Sequence, residues 1–200
     1  MNYDLQRSDL STVLSEGRLV AAETGRAFGQ LSAEQINWKP SKEEWSIGQC
    51  FDHLIISNRP FLTIIEEIRE CRRRQRAWER VPLLPGFFGK FLITTLRADS
   101  GRKVKARRAF YPSTSQIATA IITSFIEQQD RLVNLMETTR GLKLDSITIT
   151  SPVVRFITYS LMDAYRIIVV HEQNHFVQAR QVMEVSGFPG HTSFAGPSRA

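Results

Sequence analysis

The chain predicts an all-α fold, a four-helix bundle with one long crossover between the second and third long helices. Three observations predict it. Four long stretches repeat apolar residues at helical spacing, a capping box opens the second of them, and no other pattern in the chain is of comparable strength. A length of 200 residues, 42% hydrophobic and 23% charged, suits one domain with a full core. Residues 1–186 are expected to form the bundle, 69–112 being its basic, apolar-containing crossover, and 187–200 a Gly/Pro-rich tail.

The first helical stretch runs from about Asp4 to Leu31 on Leu10, Val13, Leu14, Leu19 and Phe28. A polar connector, Ser32 to Trp45, follows, and its Trp38 and Trp45 are expected to cap the core. Ser46-Ile47-Gly48-Gln49 is a capping box that starts the second helix, carried on by Phe51, Leu54, Ile55, Phe61, Ile64, Ile65 and Ile68 until an arginine cluster ends it. From Val81 to Pro112 prolines and glycines interrupt an apolar run, Phe87 to Ile93, which is too short to span a bilayer. A third helix is expected from about Ser113 to Ser115 up to Gly141, on Ile117, Ile121, Phe125, Leu132 and Leu135. Asp145 to Thr150 alternates like a strand, but one short run does not establish a sheet. The fourth helix is expected to start at Ser160, with Asp163 at its third position, and to end near Val185.

The net charge of +6 is uneven: Arg69 to Arg108 holds thirteen Lys/Arg against three acids, so the remainder is mildly acidic. Arg72, Arg73, Arg74 and Arg76 with Lys103, Lys105, Arg107 and Arg108 suit phosphates or an anionic membrane surface, or form a solvated helix end and loop. No nucleic-acid-binding motif accompanies them, which argues against a nucleic-acid partner. The first residues lack an apolar leader core, and no eighteen-residue apolar run occurs, so a soluble cytoplasmic chain is expected. Cys50 and Cys71 fit no disulfide framework.

The chemistry concentrates at His171-Glu172-Gln173-Asn174-His175. An i,i+4 pair on a helix lies roughly 40° apart around the axis and about 6 Å along it, so both imidazoles can reach one cation. The string also reads H-E-x-x-H, in which zinc proteases use the Glu as general base. The extended protease motif needs Gly at position 178 and His at 181, where the chain has Gln178 and Gln181, and no acid follows Glu184. The protease reading fails for want of a third ligand. His53, seven residues into the second helix, offers one instead, and the only other histidine is His191 in the tail. Three neutral imidazoles on a dication leave an open position, as in catalytic zinc sites; the alternative is a core histidine beside a polar pair.

Trp45-Ser46-Ile47-Gly48-Gln49-Cys50-Phe51-Asp52-His53-Leu54 resembles the W-S-x-G-[EQ]-x-x-x-H-[LI] opening of the second helix in DinB-like (DinB/YfiT) proteins, a group of metal-dependent enzymes. His171-x-x-x-His175-x-x-Gln178 is similar to that family's fourth-helix motif, and the spacing and helix order match over nearly the whole chain. The resemblance implies an up-down-down-up bundle, a divalent metal held by His53, His171 and His175, and a homodimer. The crossover from Arg69 to Arg108 is longer than the family's usual one.

Around these ligands, Gln178 is expected to orient a ligand by hydrogen bonding. Gln49 and Cys50, one turn before His53, are expected at the cavity, Cys50 alternatively packing as a small apolar residue. Glu172 is the candidate general base, or else a salt-bridge partner. Histidine ligands suit Zn²⁺ or Ni²⁺ first, with Fe²⁺ or Mn²⁺ also accommodated. Such an ion can bring bound water to a pKa near 7 for hydrolysis, or stabilise a thiolate. The expected function is a metal-dependent hydrolase or thiol-dependent transferase acting on a small-molecule substrate, with or without a low-molecular-weight thiol. A metal- or ligand-binding protein without turnover, and an anion- or membrane-surface-binding helical module, are the alternatives.

Overall fold

Side-chain caps set the start of most helices, and they are where the local sequence dictates structure most directly. The computed structural model describes residues 1, 4–74, 79, 110–113, 116–153 and 157–190. Helix α1, Leu10–Phe28, opens where Asp9 Oδ1 accepts from the Thr12 amide at 2.9 Å. Its start is later than the apolar pattern alone predicts, because the cap sits at Asp9 rather than near Asp4. Short helix α2, Ala33–Asn37, is held by a full capping box between Ser32 and Gln35. The expected connector therefore contains a helix. Helix α3, Ile47–Arg69, starts at the predicted Ser46–Gln49 box and runs through Pro60, which leaves the Ile56 carbonyl without its intrahelical donor.

Helix α4, Ile121–Glu137, begins some six residues after the expected start and has no side-chain cap. After a 3₁₀ turn at Leu144–Ser146, strand β1, Thr148–Thr150, pairs antiparallel with β2, Thr158–Ser160, with Ile149 opposite Tyr159. The strand-like run is thus one half of a small two-stranded ribbon, whose second half lies beyond Pro152. Helix α5, Leu161–Glu184, starts at Ser160, whose Oγ accepts from the Asp163 amide at 3.0 Å, as predicted.

Cross-helix contacts set the directions of the four long helices. Arg18 meets Glu137 while Arg140 meets Ser11, so α1 and α4 run opposite ways. Gln128 donates to the Ile55 carbonyl and Arg131 pairs with Glu66, so α3 and α4 run the same way. Arg166 donates to the Ser8 carbonyl and Gln173 to Glu16, so α5 runs with α1. The order is up-down-down-up.

The core is divided. One apolar cluster contains Val13, Leu14, Phe61, Ile65, Leu132 and Val169; the other contains Val20, Phe51, Leu54, Phe125, Phe176 and Ala179. Every long helix passes from one cluster to the other at one level, marked by Glu16 and Gly17 on α1, Asn58 on α3, Gln129 on α4, and Glu172 and Gln173 on α5. Beyond α5, Gly187 adopts φ +93°, which lets the chain turn so that Phe188 packs edge-on against Trp38, a core-capping role for that tryptophan. The apolar run Phe87 to Ile93, the basic residues Lys103 to Arg108, and the tail from 191 on, with His191, lie outside the described residues. Among the described residues no helix is long and apolar enough to cross a membrane.

Candidate metal centre

Helix periodicity presents His171 and His175 on one face of α5, and antiparallel packing of α3 brings His53 against them. The three rings offer ligand nitrogens that all lie within 4.8 Å of one another. His53 Nε2 stands 3.2 Å from His171 Nε2, and His175 Nε2 stands 3.1 Å from the same atom. Zinc–imidazole bonds of 2.0–2.1 Å in a tetrahedral site put ligand nitrogens about 3.3 Å apart. The two spacings from His171 fit that edge.

The outer nitrogens decide what the inner ones present. His53 Nδ1 donates to the Phe110 carbonyl at 2.5 Å, and His175 Nδ1 donates to Gln178 Oε1 at 2.9 Å. A carbonyl can only accept, so each of these neutral rings carries its hydrogen on Nδ1 and turns a lone pair inward at Nε2. One hydrogen on His171 Nε2 can serve one of those lone pairs, not both. Added protons are disfavoured as well. Burial, then the charges of His175 and His53, holds His171 well below the usual histidine range. Burial, then His53, pushes His175 down to about 3, and burial lowers His53 against the opposing effects of the Phe110 carbonyl and Asp52. Converging lone pairs on rings that resist protonation are the donor set of a cation site, and neutral imidazoles suit a divalent transition metal. The two carbonyl acceptors are the usual outer partners that fix ring orientation.

Residues 110–113 are tied over α3 near this point. Besides the His53 bond, Asp52 Oδ2 accepts from the Ser113 amide at 2.6 Å, and Gln49 Nε2 donates to the Ser113 carbonyl at 3.2 Å. Gln49 thus serves the helix cap and this strap together. Cys50 packs in the second apolar cluster, where burial pushes its thiol up to about 12, so packing rather than lining a cavity is its place. Both cysteines are free.

Glu172 is placed away from the histidines. It is 0% exposed, and its carboxylate accepts from Asn58 Nδ2 at 2.7 Å and Gln129 Nε2 at 2.6 Å in the polar level of the core. At 100° from His171 it points into the bundle, where the two amides engage one carboxylate oxygen each, and among the described residues no arginine pairs with it.

Several neighbours escape a reading by motif. Trp45 stacks on His175, with ring centroids 5.7 Å apart and planes 17° apart, and leans on His53 at 4.9 Å. It covers the histidines while also packing against the second apolar cluster, so the expected core-capping place holds and the contact with the imidazoles is added to it. Ser57 Oγ lies 3.5 Å from His53 Nε2, one helical turn on, a position that i,i+4 spacing from His53 would have marked. The Phe110 carbonyl had no signal, since a main-chain acceptor 57 positions away carries no residue identity.

The family model of the DinB superfamily matches residues 18–179 of the chain. Comparison with curated proteins and with solved structures gives no match.

Proposed function

The chain belongs to the DinB superfamily, and from that premise we propose that it is a metal-dependent enzyme, a hydrolase or thiol-dependent transferase, in which His53, His171 and His175 hold one divalent ion. The observation that carries the reading is the convergence of three imidazoles whose ligand atoms all lie within 4.8 Å of one another, with His53 and His175 each placing Nε2 at 3.1–3.2 Å from His171 Nε2 and directing their Nδ1 hydrogens to carbonyl oxygens. A divalent ion bound there supplies Lewis acidity, able to polarise a carbonyl or to stabilise a thiolate.

The chain's own residues do the remainder. Gln178 and the Phe110 carbonyl hold the His175 and His53 rings in the tautomer that binds. Trp45 walls the centre with an aromatic face and excludes water from the imidazoles it covers. Ser57 presents a hydroxyl that can donate to or accept from a substrate beside His53. Zn²⁺ and Ni²⁺ are the preferred ions, with Fe²⁺ and Mn²⁺ next.

One observation favours a second reading. With Glu172 engaged by Asn58 and Gln129, the motif's own carboxylate is not at hand as a base, which suits a metal- or ligand-binding protein without turnover.

Metal content decides first. The purified protein, stripped with chelator and titrated with Zn²⁺ or Ni²⁺, is expected to bind near one equivalent; His171→Ala is expected to lose it, and Gln178→Ala to keep it at roughly tenfold weaker affinity. Unchanged binding in His171→Ala removes that residue from the site. Hydrolysis of esters and thiol addition to electrophiles, assayed before and after chelation and metal add-back, separate enzyme from binder. Activity that survives chelation and His175→Ala overturns the metal mechanism.

A further inference from the structure

We propose that Glu172 and Asn58 form a positioning clamp for the metal centre, a fully buried hydrogen bond that fixes the rotation of α5 against α3 and thereby the meeting point of His53 with His171 and His175. This role presupposes the metal centre proposed above.

Placement carries the inference. Glu172 follows His171 directly on α5, and Asn58 lies on α3 five positions beyond His53, so the bond joins the two helices that contribute ligands and no others. The imidazoles sit on one side of that helix pair and the clamp on its core side. With His171 and Glu172 set 100° apart on one helix, a carboxylate tied to Asn58 leaves α5 little freedom to roll.

The surroundings make the bond selective. Glu172 is 0% exposed and Asn58 1% exposed, and both lie at the level where every long helix passes from one apolar cluster to the other. Around a rolled or shifted α5 the carboxylate would face hydrocarbon without its donors, which costs more than leaving an apolar side chain without its neighbours. A one-residue slip along α5 would also put His171 where Glu172 stands. Gln129 holds the other carboxylate oxygen from α4, completing a three-helix junction, but the α3–α5 bond is the one that sets the ligand geometry.

Co²⁺ titration of the chelator-stripped, full-length protein tests the clamp, because visible d–d bands report ligand geometry as well as affinity. Glu172→Ala and Asn58→Ala are each expected to bind Co²⁺ about 10–100-fold more weakly than wild type and with altered bands. Glu172→Gln keeps an oxygen that can accept from Asn58, and is expected to retain the wild-type spectrum and an affinity within about threefold. Leu14→Ala, a cavity in the other apolar cluster, controls for general loosening and is expected to leave the bands unchanged. Wild-type bands and affinity in Glu172→Ala and Asn58→Ala overturn the clamp, as does an equal loss in Leu14→Ala. Should Glu172→Ala fail to fold, Asn58→Ala decides alone. If wild type and His171→Ala bind Co²⁺ equally, the metal centre itself fails and the clamp falls with it.

Discussion

Glu172 is a carboxyl whose charge has little support in the fold. Burial raises its pKa from 4.5 to about 8, against the lowering effect of Asn58 and Gln129. Between those two values the folded chain holds one proton more than the unfolded chain. The stability this contributes is full below about pH 4.5, falls as pH rises, and is gone above about pH 8. The histidines act in the opposite direction: their lowered pKa values give stability that is complete above about pH 6.5 and lost on acidification. That contribution is common to wild type and Glu172→Gln, so it cancels in their difference. Denaturant unfolding of the two metal-free proteins from about pH 5 to about pH 9 should show Glu172→Gln gaining on wild type by up to roughly tenfold in folding constant per pH unit, and levelling above about pH 8. Curves that stay parallel would mean that Glu172 is ionised in the fold throughout.

Helix starts were read at two of the side-chain caps, while the cap at Asp9 was passed over for a start near Asp4. Ser46 with Gln49 and Ser160 with Asp163 place α3 and α5 to the residue, and those are the two helices that carry the histidines. The same logic applied to Ser32 and Gln35 would have found α2, which a reading by apolar periodicity passes over because five residues hold too few repeats. Helix α4 has no side-chain cap, so its start at Ile121 is fixed by packing and could not be read. The ribbon was half legible: β1 alternates, but its partner begins only at Thr158, and pairing across such a gap has no local signature. Packing also governs Gly17. A Cβ there would stand 2.9 Å from Val133 Cγ2 and 3.2 Å from Gln129 Nε2, so α1 approaches α4 closely at the polar level. Alanine is the better helix former by about 1 kcal/mol. Against this, Val133 is β-branched and has essentially one rotamer in a helix, so the overlap cannot be relieved by a side-chain swing. Overpacking of this kind costs about 1–3 kcal/mol, and Gly17→Ala is expected to be net destabilised in urea. A variant as stable as wild type would show that the two helices can part without loss.

At the scale of the whole molecule, the ligand set joins positions 118 residues apart, His53 and His171, and so depends on a topology that no single motif encodes. Two motifs read together were enough to bring the histidines into one candidate site, because each lies on a helix whose start was legible. The wall and outer shell were less so: Trp45 approaches from the connector and the Phe110 carbonyl from the far end of the crossover. A metal at this point would bind the folded chain and not the unfolded one, since the unfolded chain does not hold the three imidazoles together. Stability then rises by RT ln(1 + [metal]/Kd), about 2.7 kcal/mol at a free concentration of about one hundred times Kd. For a chain of this length that corresponds to a melting temperature higher by about 5–10 °C. Thermal unfolding of the metal-stripped protein with increasing Zn²⁺ is expected to show this rise, with the slope against log concentration set by one ion per chain, while His171→Ala melts at a temperature independent of Zn²⁺. The prediction separates a site that holds metal by folding from adventitious ions on surface groups, which would shift both proteins alike. An equal rise in wild type and His171→Ala would place the stabilising ion elsewhere and leave the three histidines as a polar cluster of the bundle.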